Sequence, residues 1–218
     1  MRTRWLFSYV VDHDEGYSPN PVGGICTLPH CKFSQSGRRN LVEMAEIGDW
    51  IVGTGGKSTY SAGHGRLIYA MRVTDKIPLR TYLTVRQYAG RADRFPPAGS
   101  DQDRFTLVPN DFYYFGRNAV AIAGIPTRHL NHPIEKRGPG HRHDFSEAFI
   151  ADFEEWIKRE FSIGVHGEPC AGLPPHFRSR PRRCVPIRRR PRTIAIRSRV
   201  RGTKLVLRVM SKGGNRGI

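Results

Sequence analysis

Directly behind an apolar run, Asp12, His13 and Asp14 put two carboxylates and an imidazole together, the residue types that general acid and base catalysis uses. Alternation along an extended chain would send Asp12 and Asp14 to one side and His13 to the other. The plainer alternative is an Asp-rich turn closed by its own Asx hydrogen bonds. Cys26 is a candidate nucleophile, because a thiolate formed beside a base such as His13 or His30 is the reactive species. Gly53-Thr54-Gly55-Gly56-Lys57-Ser58 has glycines that let backbone amides approach an anion, and a lysine that adds charge. Only two residues separate Gly53 from the Gly56-Lys57 pair, where a phosphate loop needs four. The segment therefore reads as a strand-end loop within reach of phosphate, with Thr54 and Lys57 as contacts. Asp111-Phe112-Tyr113-Tyr114-Phe115-Gly116-Arg117 sets four aromatic rings beside an arginine, a composition that stacks bases. On a strand half of those rings face a core, which leaves at most two for a ligand.

Metal chemistry is weakly indicated. Cys26, His30 and Cys31 lie close in sequence, and histidines are scattered through the second half, but the short paired spacings of a zinc site are missing. No metal is assigned.

The elements that must position these residues follow from pattern. Residues 4–11 are β-branched and aromatic, and read as a first buried strand. The many glycines and prolines of 12–38 exclude a helix and place Asp12, His13, Asp14, Asn20 and Cys26 on loops. A short helix is expected around 40–47, a strand at 50–53 behind Gly48-Asp49, and another at 66–73. The best helix runs from about Phe145 to Phe161, with Asp144 as its cap and Glu147 in a capping-box position. Its Phe149, Phe153 and Trp156 form an apolar stripe suited to packing on a sheet. If the strands at 4–11 and 50–53 are parallel neighbours, their loops share one sheet end, and Asp12, Asn20 and Cys26 meet Thr54 and Lys57. Antiparallel neighbours would hold the loops roughly 15–20 Å apart.

Charge separates the chain into two regions. Of 36 Lys and Arg, 15 fall between Arg178 and Ile218 with no acidic residue among them, so that 21 basic residues face 19 acidic ones in residues 1–177. The formal net charge of +17 is therefore a property of the tail. Such a tail releases counterions from a phosphate backbone and gives affinity without sequence reading. The expected organisation is a domain over residues 1–174 and a poorly ordered Arg-rich tail over residues 175–218, with a hairpin pattern at Thr193–Ile196 and Lys204–Val209. No apolar run is long enough to cross a membrane and no signal-peptide pattern opens the chain, so a cytoplasmic location is expected. Four cysteines are too few for a disulfide scaffold.

Several segments, in one order, resemble the nucleotide modification associated domain family of the second type: Ser8 to Asp14 with Pro19-Asn20-Pro21, Cys26-Thr27-Leu28 with Cys31-Lys32, Gly48 to Gly55, Gly65 to Met71, and Asp111 to Gly116. The resemblance spans roughly residues 5–170. It implies a role beside enzymes that modify DNA bases, in nucleotide-modification or phage-conflict pathways. Where members often carry paired cysteines, this chain has Pro29-His30-Cys31. A second, weaker resemblance is to the PUA-like superfamily with its EVE and ASCH domains. It rests on Trp5-Leu6-Phe7, Gly48-Asp49 and Arg66 to Val73, and implies a small barrel around a modified base.

The expectation is thus an α+β domain with a mixed or antiparallel sheet, a PUA-like barrel in its closed form, one long C-terminal helix and a basic tail. Its function is recognition or processing of modified nucleotides in DNA. Three versions stand open: an enzyme using Asp12, His13 and Cys26; a non-catalytic reader whose pocket uses Trp50, Tyr113 and Lys57; and an accessory that tethers a DNA-modifying enzyme through its tail. Asn20, Trp50, Thr54, Lys57, Tyr113 and Arg117 are the candidate nucleotide-binding residues. The partner is nucleic acid or a nucleotide, without a membrane, and no cofactor is indicated.

Overall fold

The computed structural model describes residues 3–29, 40–89, 91 and 104–172, all within one unit spanning Met1–Ser179. The Arg-rich tail, its expected hairpin, His30, Cys31 and Cys184 lie outside the described residues. The chain is α+β. Strand β1 (Leu6–Val11) pairs in parallel with β2 (Trp50–Gly55), which pairs antiparallel with β3 (Arg66–Arg72). Helix α1 (Leu41–Met44) precedes β2, and a ribbon of β4 (Asp75–Pro78) and β5 (Phe105–Val108) brackets helix α2 (Leu79–Thr84). The main sheet continues with β6 (Asp111–Tyr114), a two-residue β7 (Val120–Ala121) beside β3, β8 (His141–Arg142) and, after helix α3 (Glu147–Glu160), β9 (Gly164–Val165). The strand order β8-β1-β2-β3-β6-β9 is mixed and does not close, so the barrel implied by the weaker resemblance is not formed by the described residues.

Both faces of this sheet are covered, and the side-chain alternation of the strands shows it. Phe7, Tyr9 and Val11 of β1 join Ile51, Met71 and Tyr114 in a core shared with Leu28, Leu41, Val42 and Leu107. Leu6, Trp50, Val52 and Tyr113 point the other way, into a core with Phe149, Phe153, Trp156 and Ile157 of α3. Fully buried Ser8 falls on this second face and satisfies its hydroxyl by donating to the Ile134 carbonyl, which draws residues 133–139 across β1. The ribbon and α2 bury a third, smaller cluster of Leu79, Tyr82, Tyr88 and Val108.

Local differences from expectation have physical causes. Helix α3 starts two residues later than the Phe145 reading, because Ser146 is its cap and accepts from the Phe149 amide. Asp144 instead lies 3.0 Å from His132. Around 40–47 the helix is only Leu41–Met44, closed by a capping box of Asn40 and Glu43. The region 75–108 carries two strands and a helix that the pattern left unassigned. In β3 the register shifts opposite Gly53 and Thr54, and the extra residue lets Ile68 and Tyr69 both enter the same core. No helix of the described residues is long and apolar enough to cross a membrane.

Candidate functional site

Because β1 and β2 run in parallel, with Val10 opposite Thr54 and Val11 opposite Gly55, the loops that follow them leave the sheet at one end. The loop after β2 returns at Gly63 and His64 and is laced to β1. The Asp12 carboxylate accepts from the Ser58 amide at 3.0 Å, and the Ser61 hydroxyl donates to the Val11 carbonyl at 2.6 Å and accepts from the Gly56 amide at 2.8 Å. The glycines of this loop serve close approach between chain segments. A Cβ on Gly55 would sit 1.9 Å from the Gly63 carbonyl oxygen, and one on Gly56 would sit 2.3 Å from Asp12 Oδ1.

A cleft of about 330 Å³ opens where these loops meet residues 137–139, lined by Val10, Asp12, Gly56, Lys57, His64 and Arg137 among others. Lys57 and Arg137 are exposed cations facing a space of this size, and Asp12 is exposed as well. Glu135 organises one wall. Its side chain is only 14% exposed and accepts from the Gly65 amide at 2.8 Å, His64 Nδ1 lies 3.1 Å away and Arg137 3.4 Å. Burial would raise its pKa, but the Gly65 amide, Arg137 and His64 outweigh burial and hold it below the usual carboxylate range. An ionised Glu135 is acceptor-only, so His64 presents Nδ1–H to it. The wall therefore holds a histidine in one orientation between a carboxylate and the cleft.

Asp14 goes elsewhere. The extended geometry ends at Val11, so alternation no longer applies, and Asp14 is buried while Asp12 is exposed. It accepts from the Tyr114 hydroxyl at 2.5 Å and the Cys170 amide at 3.0 Å, and its backbone bonds to Tyr60 and Ala171. Burial first, and then the Asp14 carboxylate, push the Tyr114 phenol up and the Cys170 thiol up to about 12. This carboxylate is a buckle that ties residues 168–172 to β1 and β6. The residue types mark Asp14 as a carboxylate beside Asp12, but not this role, because its partners are 100 and 156 residues away.

The other residues singled out by type are distributed as follows. Asp12 and Lys57 share the cleft. His13 is exposed, with its ring 6.0 Å from that of Tyr60. Cys26 is fully buried in the core beside Tyr9 and Tyr114, away from solvent, which corrects its reading as a cleft nucleophile. Asn20 is fully buried and accepts from the Val22 amide, with its backbone paired to Thr27, a turn-forming position and not a cleft contact. Thr54 is fully buried and donates to the Tyr9 carbonyl. Trp50 and Tyr113 stack on one another under α3, at 0% and 1% exposure, and a base cannot reach them. Tyr113 and its neighbours were expected to leave some rings free; α3 and the opposite core cover both faces and leave none. Arg117 is exposed, 3.7 Å from Glu168, on no wall of the cleft. His64, Glu135 and Arg137 went unnoticed in the sequence, since their convergence depends on residues 133–139 folding over β1. Among the described residues no three of His, Cys, Asp and Glu gather to hold a metal ion.

A model of the family described as nucleotide modification associated domain 2 matches residues 3–104 and 98–173. The chain belongs to this family. No curated protein and no solved structure matches it. Membership in nucleotide modification associated domain 2 ties the protein to nucleotide modification. The matched span contains every residue named on the cleft wall and ends before the Arg-rich tail.

Proposed function

We propose that the cleft at the shared end of β1 and β2 binds the phosphate of a nucleotide, as part of recognising or processing modified nucleotides in DNA. The observation that carries this reading is the convergence of Lys57, His64 and Arg137 on one cleft of about 330 Å³, of the size that small ligands occupy. Two cations and an imidazole, two of the three from the β2–β3 loop and Arg137 from the segment over β1, suit an anion, and phosphate is the anion that every nucleotide offers. Asp12 braces the loop that carries Lys57 and gives the rim a carboxylate within the same space. An aromatic cage built from Trp50 and Tyr113, or a nucleophile at Cys26, would need side chains that are buried in the two cores. The Arg-rich tail would add backbone affinity without choosing a base.

The reading is checked by titrating deoxynucleoside 5′-monophosphates into the full chain and into a Lys57→Ala/Arg137→Ala variant by calorimetry. The expected result is affinity at least tenfold weaker in the variant, with an unchanged melting temperature because both side chains are exposed. Equal affinities would remove the cleft from consideration.

A further inference from the structure

A second cavity of about 360 Å³ is lined in part by residues 132–135, next along the chain to the 137–139 segment that bounds the cleft. Its walls come from Ile122, Ile125, Leu130 and Ile134, with Thr127, His132 and Glu135 at polar positions. Glu135 thus belongs to this cavity while its hydrogen-bond partner His64 belongs to the cleft, so the 3.1 Å His64–Glu135 contact is a wall common to both. Along the chain only Lys136 stands between Glu135 of the cavity and Arg137 of the cleft. The segment is held down at Ser8 by the Ile134 carbonyl and at Gly65 by the Glu135 carboxylate. The chemistry of the two spaces differs: Lys57 and Arg137 stand with Asp12 and His64 around the first, whereas the second is mostly apolar and meets a ligand with the Glu135 carboxylate and the His132 ring.

We propose that the two spaces form one bipartite site for a nucleoside 5′-monophosphate unit, with the phosphate in the cleft and the base in the apolar cavity. This rests on the phosphate reading above and adds the base to it. A base removed from its stack needs a pocket that covers its apolar faces and meets its polar edge with few, placed groups. The isoleucine and leucine walls supply the cover. The Glu135 carboxylate accepts hydrogen bonds and cannot donate them, so it favours a base edge that offers N–H, as the exocyclic amine of cytosine does, and opposes a carbonyl at the same place.

The probes are deoxycytidine 5′-monophosphate, thymidine 5′-monophosphate and inorganic phosphate, titrated into the full chain and into Ala123→Phe. Ala123 is an exposed residue on the cavity wall, where a ring fills the space without entering the core. The full chain is expected to bind the cytidine nucleotide at least tenfold more tightly than phosphate and more tightly than the thymidine nucleotide. Ala123→Phe is expected to reduce the cytidine nucleotide to the level of phosphate while phosphate itself binds as before. Thr127→Phe, at a second exposed wall position, gives the same readout should Ala123→Phe melt early. If both fillings leave the cytidine nucleotide's affinity intact while Lys57→Ala/Arg137→Ala destroys it, the base does not enter the cavity and the phosphate reading survives alone. If the unsubstituted chain binds neither nucleotide nor phosphate, both readings fall.

Discussion

At the scale of single residues, position in space overrides residue type. Asp12 and Asp14 are two positions apart and chemically alike, yet one lines an open cleft and the other is 1% exposed with donors from Tyr114 and Cys170. Cys170 shows what that burial does. Its folded pKa, pushed up to about 12 from the ordinary 9.0 by burial and by Asp14, makes the neutral thiol the favoured form. Because the folded value lies above the unfolded one, the stabilisation is complete below about pH 9 and is lost as pH rises toward 12. Peptide-resolved alkylation at neutral pH is therefore expected to label Cys170 more slowly in the folded chain than in the unfolded one. Asp14→Asn should remove the charge that repels the thiolate and speed the labelling. Labelling at the unfolded rate in the unsubstituted protein would show that the thiol is not held in this way. The candidate site was half legible at this scale. Asp12 and Lys57 stand next to recognisable strand ends, whereas His64, Glu135 and Arg137 are ordinary polar residues until the chain brings them together.

At the scale of elements, strands and the long helix were readable because their burial is written as a period. The first strand, β3 and α3 all lie inside the ranges their apolar patterns marked, with boundaries moved by one or two residues. What the pattern did not carry is pairing. That β1 and β2 are parallel decides where the cleft forms, and parallel pairing leaves no local signature. The β4–β5 ribbon was missed because its strands are four residues long and 26 residues apart from Pro78 to Phe105, too short for alternation to stand out. The stripe on α3 makes a sharper claim. Trp156 is 6% exposed and its ring packs on Phe153 and Phe161, 5.8 and 5.6 Å between centroids. Trp156→Ala is expected to cost about 3–5 kcal/mol through lost burial and the cavity left behind. Thermal or denaturant unfolding reads it directly. A melting temperature that does not move would mean that the ring contributes nothing to the core under which Trp50 and Tyr113 lie.

At the scale of the whole molecule, the charge is divided between a nearly balanced domain and a basic tail, to which the proposed function assigns two kinds of affinity. Residues 1–177 are nearly balanced, and within them the cleft offers a small, shaped group of cations. The 15 basic residues from Arg178 to Ile218 have no acidic neighbours and no shape requirement that the sequence shows. Neutralising each phosphate contributes about 0.9 to the slope of log affinity against log salt on duplex DNA. Engaging even a third of these side chains would thus give a slope of several units, while a mononucleotide in the cleft, with one phosphate group, would give a shallow one. Deleting Arg178 to Ile218 should therefore flatten the salt dependence of duplex binding and weaken it at low salt, yet leave mononucleotide binding by the domain within about twofold. The two measurements separate the contributions: fluorescence anisotropy of a labelled duplex across a salt series, and calorimetry with a 5′-monophosphate. A truncated chain that keeps the full slope on duplex DNA would place backbone binding on the domain. One that loses mononucleotide binding would mean that the tail completes the cleft, and the division between general attraction and local selection would not hold.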